Sequence, residues 1–520
     1  MNLEDTDLRR RRSNMKKICE IDFTKAIRKK YPFTLVIFGG RGDLSLRKLI
    51  PSLFHLYSLN QLDENFNIIS YGMPEMTGEE YRTLIRESLE RHYKRVDRGD
   101  LDAFIERFYY VSGGFDEGEK YKKILELHNG FNKTPCQIIY YLAIPPKFAG
   151  TVIENLAQDE FRRSVCSKKI IMEKPFGVDR PSAEDLNQIV LKVFDEGEIY
   201  RIDHYLGKET VQNILFFRFG NSMFEPLWNR NFIDHIQITA AESIGIEHRG
   251  KFYEGAGVVR DIVQNHVLQL LALVAMEPPA DFHADMIRDE KLKIFKSIRE
   301  MDSEYLKRNM MKGQYGRGSE ISAYREEKDV ETDSQVPTFM AGKFFVDNWR
   351  WAGVPFYIRA GKRLKEKVTE IYIQFKQPPL KLFGDECNDI VPNGLLISIQ
   401  PEERISIRIN SKYPGSENYP HPVELDFNYK QLGKYDNLDA YERLILDCLR
   451  GDLTLFARQD GIEAMWEVVD PVNKYFEEWD DTLLPNYKGG SWGPEKAQEL
   501  LKLDGRCWRI TDECILMEEV

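Results

Sequence analysis

Phe33-Thr34-Leu35-Val36-Ile37-Phe38 runs directly into Gly39-Gly40-Arg41-Gly42-Asp43-Leu44-Ser45 and then into Leu46-Arg47-Lys48-Leu49-Ile50-Pro51. The first six residues are a nearly continuous apolar run ended by glycine, the pattern of a strand buried on both faces in a parallel sheet. A strand, a tight glycine turn and the start of a helix form a phosphate cradle, because the first amides of the helix point at the ligand. The turn departs from the Gly-x-Gly-x-x-Gly spacing and reads Gly-x-x-Gly-Asp-Leu. Gly39, Gly40, Arg41, Gly42, Asp43 and Leu44 are the candidate cofactor contacts.

Outward from this turn, strands are expected at Asn67–Tyr71, Arg107–Val111, Gln137–Ile144 and Lys169–Met172, with a helix over Thr77–Arg95. Strands alternating with helices as far as residue 200 predict a doubly wound parallel sheet. The end of the second strand meets the adenosine ribose in such a fold. Here it reads Tyr71-Gly72-Met73-Pro74-Glu75, and Glu75 suits a free ribose hydroxyl, whereas Arg41 lies close to where a 2′-phosphate would sit. The strand at Lys169–Met172 delivers Glu173-Lys174-Pro175-Phe176-Gly177. A lysine at a strand end, before proline, points into the crevice, where Lys174 can reach both substrate and cofactor.

The next stretch, Arg201–Glu209, reads Arg-Ile-Asp-His-Tyr-Leu-Gly-Lys-Glu. A helix beginning near Asp203 would place His204 and Lys208 four apart on one face. Together they make a cationic pocket suited to a phosphate, and leave Asp203 free to orient a second imidazole. A helix over Val211–Phe219 and a strand over Ile233–Ala240, ending near Glu242, come next. Arg260-Asp261-Ile262-Val263-Gln264-Asn265-His266-Val267-Leu268-Gln269 then opens an apolar helix running to Met276, with His266 set inside it. Residues 287–325 read as charged and helical, with a loop at 313–318. Val354–Ala360 is a strand leading to Gly361-Lys362-Arg363, with Lys367 just beyond. Glu370–Phe375, Gly394–Gln400 and Ile405–Asn410 read as antiparallel strands with polar outward positions. Asp439–Asp447 is a helix by periodicity and carries no assigned chemistry, and 477–494 is a loop. The second half is therefore an α+β domain with a large, mainly antiparallel sheet.

A chain of 520 residues exceeds one ordinary core. The expected division is a flexible basic arm (1–30) containing Arg9-Arg10-Arg11-Arg12, a dinucleotide-binding domain (31–201) and the α+β domain (202–520). No apolar segment follows the arginines, so an export signal is not supported. The net charge of −11 argues against nucleic acid as a partner, and an anionic substrate then needs a local basic pocket. The apolar runs read as shorter than a bilayer span, so no membrane partner is expected. Seven cysteines, at 19, 136, 166, 387, 448, 507 and 514, are scattered and form no CxxC. That pattern indicates no disulfide framework and no metal site, and fits a cytoplasmic protein.

The glycine turn, Glu173–Gly177, Arg201–Glu209, Arg260–Gln269 and Asp439–Asp447 together resemble, in chain order, the motifs of the glucose-6-phosphate dehydrogenase family. The likeness extends over residues 33–505. It implies a Rossmann-like N-terminal domain, and a second domain whose sheet builds a homodimer or tetramer interface. It implies oxidation of glucose 6-phosphate at the anomeric carbon, with hydride passing to NADP. By the same resemblance His266 is the base and Asp203 its orienting carboxylate. His204, Tyr205 and Lys208 grip the phosphate. Lys174, Glu242, Asp261 and Lys362 hold sugar hydroxyls, with Lys367 standing where the family often has arginine. Pro145-Pro146 resembles the turn beside the nicotinamide, which makes Pro146 a cofactor contact. The family's usual arginine after the second strand is absent, with Met73 in its place. NADP is still expected, through Arg41, with NAD as the alternative cofactor. The basic residues of a second, structural dinucleotide site are not found, and Trp492 stands where an arginine would be expected. Two other readings stand beside this one. Another Rossmann sugar oxidoreductase would share the Glu-Lys-Pro lysine but would not need a phosphate pocket. A non-catalytic cofactor-binding relative would not need Asp203 and His266.

Overall fold

The computed structural model describes residues 30–94, 97–131, 137–158, 167–380, 382–383, 390–415, 420–428, 438–479 and 483–509. The arginine run of the basic arm and the cysteines at 19, 136, 166, 387 and 514 lie outside them. The opening apolar run is strand β1 (Phe33–Phe38), with all its residues buried. Its side chains alternate between two cores: Val36 and Phe38 enter one, while Phe33, Leu35 and Ile37 enter the other. On either side it pairs in parallel with β2 (Phe66–Gly72) and β4 (Gln137–Leu142). With β3 (Phe108–Ser112), β5 (Ser167–Met172) and β6 (Ile199–Arg201) these strands form one parallel sheet in the order β3-β2-β1-β4-β5-β6. That is the doubly wound order expected, and it opens a ligand crevice outside the carboxyl ends of β1 and β4, where the strand order reverses.

A second, eight-stranded sheet contains β7 (Ile233–Ala241), β8 (Met310–Gly313), β10 (Phe339–Phe345), β11 (Pro355–Gly361), β12 (Val368–Phe375), β13 (Gly394–Gln400), β14 (Arg404–Lys412) and β15 (Pro420–Asn428). Their order is β15-β14-β13-β12-β7-β11-β10-β8, antiparallel except for the pair β7–β11. β9 (Tyr315–Gly316) and β16 (Tyr487–Lys488) form a small parallel pair, so the expected loop at 477–494 contains a short strand.

Three expectations need correction. The helical reading of 287–325 holds only for the helices Ala284–Ser297 and Ser303–Asn309; Met310–Gly313 is the edge strand β8, drawn into the sheet by β10. The helical run Gly250–Ala275 is 26 residues long and apolar enough to cross a bilayer by length and composition, against the expectation that all apolar runs are shorter. It is a core helix, with 94% of its most apolar window buried inside the protein. Cys507 takes part in a disulfide, which scattered cysteine spacing did not suggest, because spacing does not show which residues folding brings together. Cys448 is a buried free thiol.

Candidate active site

The site lies at the carboxyl end of β6. Past Arg201 the chain does not enter a helix, as the spacing of His204 and Lys208 suggested. Residues 204–208 form a turn, and the helix starts at Glu209 (Glu209–Phe219). The cause is Asp203, whose Oδ1 accepts the backbone N–H of Tyr205 at 2.9 Å and closes an Asx-type turn. Gly207 is required there because a Cβ would lie 2.6 Å from the carbonyl oxygen of Ala440. His204 and Lys208 are therefore brought to one region by a turn, not by a helix face.

The same Asp203 oxygen receives the Nδ1–H of His266 at 2.6 Å. Both residues are almost wholly buried, at 4% and 3% exposure. The bond fixes the imidazole as the Nδ1–H tautomer and leaves Nε2 with its lone pair. That lone pair faces the Lys174 ammonium at 3.0 Å. The Tyr205 ring stacks on His266 at 4.1 Å between centroids, and the His204 ring meets His266 edge-on at 4.6 Å. Burial lowers the His266 pKa below its ordinary value, so the neutral form prevails near pH 7. Burial acts on Asp203 in the opposite sense, but the adjoining His266 outweighs it and keeps the carboxylate ionised, at about 2. His204 is pushed well below its ordinary range by burial, with His266 and Lys174 adding to the effect. Ligand atoms of Asp203, His204 and His266 lie within 4.8 Å of one another. The Lys174 ammonium against Nε2 opposes a metal ion there.

From Lys174 a chain of alternating charge runs into the second domain's sheet. Lys174 Nζ donates to the Asp261 carbonyl at 2.6 Å and lies 3.4 Å from its carboxylate. Lys362 Nζ reaches the same carboxylate at 3.1 Å and also pairs with Glu242. Asp261 is held below its ordinary range, because Lys174 and Lys362 outweigh the effect of burial. Glu242 and Lys362 stand at the ends of the adjacent parallel strands β7 and β11, which is why residues 120 apart in sequence meet. Lys208 Nζ sits 3.5 Å from Gln400 Oε1 and 5.9 Å from the centroid of the Tyr205 ring. Its pKa is lowered by burial and by the exposed Lys367, against the opposing effect of the Glu403 carboxylate, so two cations share one corner with a carboxylate beside them. The Tyr205 hydroxyl is already engaged with Thr369 and Gln400.

The glycine turn meets the test of a dinucleotide cradle. Gly39 has φ +82°, and a Cβ there would lie 2.4 Å from the Ala143 carbonyl oxygen. Gly42 N–H donates to Gly39 O at 2.8 Å, Ser45 Oγ to the same oxygen at 2.9 Å, and the helical elements Ser45–Leu49 and Ile50–Ser58 lead away. Asp43 pairs with Arg47 on the exposed surface. Arg41 is exposed and close enough to Tyr110, in the middle of β3, to oppose the rise that burial gives its phenol. Tyr110 in turn donates to the carbonyls of Gly72 and Pro74, so Arg41 and the Met73–Glu75 segment share one corner of the crevice. Glu75 lies near the Lys120 ammonium. This corner is at the β3 side of the sheet and the dyad is at the β6 edge, so Arg41 and Glu75 are separated from the dyad by the width of the crevice, whereas Lys174, also an expected cofactor contact, lies against His266. Pro146 is exposed in a turn of 3₁₀ helix just beyond β4.

Sequence reasoning missed two participants. Glu173, quoted only as part of a motif, accepts the Tyr141 hydroxyl at 2.6 Å and has a pKa raised to about 7 by burial. Tyr441 hydrogen-bonds the same carboxylate and stacks against His204 at 6.4 Å. Tyr441 belongs to the helix Ala440–Arg450, capped reciprocally by Asp439 and Glu442, within the stretch to which no chemistry was assigned. The signal was there: an aromatic at the first helical turn after a capping residue, inside a motif shared with the family.

Two family models cover the chain: "Glucose-6-phosphate dehydrogenase, NAD binding domain" over residues 36–213 and "Glucose-6-phosphate dehydrogenase, C-terminal domain" over residues 215–509. The chain is 43% identical to a glucose-6-phosphate 1-dehydrogenase of Aggregatibacter actinomycetemcomitans, over 91% of this chain and 97% of that protein. It is 41% identical to the one of Bacillus subtilis, again over 91% and 97%. A solved glucose-6-phosphate dehydrogenase in complex with its substrate glucose-6-phosphate superposes with TM-score 0.85 at 35% identity, covering 92% of this chain and 99% of that one. A glucose-6-phosphate 1-dehydrogenase from Mycobacterium avium superposes with TM-score 0.81 at 36% identity, covering 93% and 99%.

Proposed function

The chain belongs to the glucose-6-phosphate dehydrogenase family, and from that premise we propose how its own residues divide the work. It oxidises glucose 6-phosphate at the anomeric carbon with a nicotinamide dinucleotide, giving the lactone. The observation that carries the division of roles is the buried Asp203–His266 hydrogen bond, with the free lone pair of Nε2 turned to Lys174. Bound in the glycine cradle, the dinucleotide supplies the hydride acceptor. His266 Nε2 takes the proton of the anomeric hydroxyl as the C–H pair departs, so the oxygen's remaining electrons close the new carbonyl. Asp203 stabilises the imidazolium formed, and the proton stays on His266 until solvent removes it. Lys174 yields Nε2 to the substrate while staying bonded to Asp261. The Lys174, Asp261, Lys362 and Glu242 chain offers donors and acceptors in alternation to the sugar hydroxyls. Lys208, His204 and Lys367 form the phosphate corner, with Tyr205 packed on His266.

Gly39, Gly40, Gly42, Asp43 and Leu44 hold the pyrophosphate end of the dinucleotide, and Pro146 flanks its nicotinamide end. The cofactor is NADP, with Arg41 meeting the 2′-phosphate and Glu75 keeping NAD competitive. Residues 202–520 bind substrate and dimerise. Partly exposed apolar side chains on β14 and β15 (Ile409, Leu425 and Phe427) support a second copy packing there. The experiment is initial rates with glucose 6-phosphate and each nicotinamide cofactor in turn. Glucose-6-phosphate-dependent reduction is expected with both, faster with NADP. Reduction of neither overturns the reading, and a clear preference for NAD overturns the cofactor assignment.

A further inference from the structure

Residues 287–325 read from sequence as charged and helical, and one of their lysines is among the most deeply buried cations of the described residues. Lys291 is 3% exposed. It sits on the helix Ala284–Ser297 at the i, i+4, i+7 spacing of that helix's apolar face, between Ile287 and Ile294, both buried. That face packs against the helix Leu268–Ala275, the continuation of the segment that carries His266, and against the helix Gln459–Glu478. Among the described residues its ammonium donates to one partner, a neutral one: Gln269 Oε1, at 2.7 Å. Gln269 lies one helical turn after His266, is itself buried, and points its amide nitrogen at the Met465 sulfur.

A buried ammonium without a carboxylate of its own is costly unless a nearby negative charge compensates it. The negative charge within its field is Asp203, which favours the protonated lysine. Asp203 has the complementary need. Its Oδ1 receives two hydrogen bonds, while Oδ2 is buried with no partner among the described residues. Of the other charges around these groups, Lys174 faces His266 Nε2 directly and shares Asp261 with Lys362, so it also disfavours the imidazolium. Arg288 binds the Phe456 carbonyl and Asp285, Arg458 binds Asp289 and Asp460, both arginines oppose the Lys291 charge, and Lys208 sits with Lys367 and Glu403. Glu173 faces Lys174 and lies within the field of Asp203, and His204 abuts His266.

We propose that Lys291 is a positioning residue for the reaction: held by Gln269 one helical turn from His266, its charge offsets that of Asp203 and helps keep His266 unprotonated and ready to act as base. A buried carboxylate alone would draw a proton onto the imidazole before substrate arrives. A cation behind the carboxylate weakens that pull without breaking the Nδ1–H bond that orients the ring. Burial lowers the ammonium's own pKa to about 7, so the charge is present on the acid side of neutrality, where His266 is at risk of protonation.

This inference rests on the reading of His266 as the base, and its test does not pass through turnover. In enzyme labelled with nitrogen-15 histidine, the His266 ring resonances, assigned by their loss in His266→Asn, report its pKa directly. Lys291→Met and Lys291→Gln remove the charge, the second retaining a donor for Gln269, so one reports if the other folds poorly. Both are expected to raise the His266 pKa by about half a unit or more, and to move the acid limb of kcat/KM to higher pH relative to wild type. Lys291→Arg keeps the charge, and its His266 is expected to titrate as in wild type. Unchanged His266 titration in a folded Met or Gln variant overturns the proposal and leaves Lys291 a packing residue. Failure of the base reading would show differently, as near-native turnover in His266→Asn.

Discussion

Asp203→Asn isolates the charge of the dyad from its shape. Asparagine keeps an Oδ1 that can still accept the Tyr205 N–H now bound at 2.9 Å, so the turn between β6 and the next helix should persist. What is lost is the charge-assisted bond to His266 Nδ1–H, at 2.6 Å in a buried setting. Such bonds are worth about 1.5–3 kcal/mol. The loss is felt most when the imidazolium forms, because the carboxylate is the nearest negative charge to it. At tenfold for each ~1.4 kcal/mol, kcat should fall by ~10- to 150-fold while KM for glucose 6-phosphate changes little. A second signature follows from the sign of the coupling. Asp203 raises the His266 pKa against burial, so its neutralisation lowers that pKa further. Activity is lost as pH falls through the His266 pKa, so the acid limb of kcat/KM should move to lower pH, opposite to the shift expected on neutralising Lys291. The assay is initial rates of nicotinamide reduction across the neutral range in wild type and variant. Wild-type kcat, or a loss carried wholly by KM, would refute the reasoning that Asp203 acts through the charge it presents to His266.

Lys208→Ala should mainly raise KM for the phosphorylated sugar, by the ~1.5–3 kcal/mol of a charge-assisted contact, and leave unphosphorylated glucose nearly indifferent; equal losses on both sugars would remove Lys208 from the phosphate corner. Arg41→Ser should lower catalytic efficiency with NADP by ~10-fold or more and leave NAD nearly unchanged, since only NADP carries the extra charge. A parallel fall with both cofactors would assign Arg41 to the shared pyrophosphate or to the shape of the loop.

What was legible in the sequence was what local pattern controls. Phe33–Phe38 and the glycine turn have one cheap solution, a strand buried on both sides followed by a helix start, and both are found. The large sheet was visible wherever strands alternate. β10 was missed, where Gly342 interrupts an apolar run, and so was β15, whose Pro420 and Pro422 weaken a strand reading. At Arg201–Glu209 the residues were right and the geometry wrong. The spacing of His204 and Lys208 suits a helix, but the Asp203 side chain captures the Tyr205 amide, and Gly207 tucks under Ala440. Pairing across the fold was beyond local pattern altogether. Nothing in spacing joins Asp203 to His266, Glu242 to Lys362, or Lys174 to Asp261; the family resemblance supplied their roles, and the structure supplies the distances. Tyr441 and Lys291 escaped because their surroundings come from other elements, a neighbouring strand end for one and two packed helices for the other.

The most direct measurement of the central claim is the turnover of His266→Asn with glucose 6-phosphate, read beside substrate binding to the same variant. The variant removes the Nε2 lone pair that faces Lys174 in the crevice. Loss of a general base should lower kcat by ~100-fold or more, with binding of glucose 6-phosphate retained through the Lys208 corner and the Lys174–Glu242 chain. Near-native turnover in a variant that still binds substrate would contradict the account.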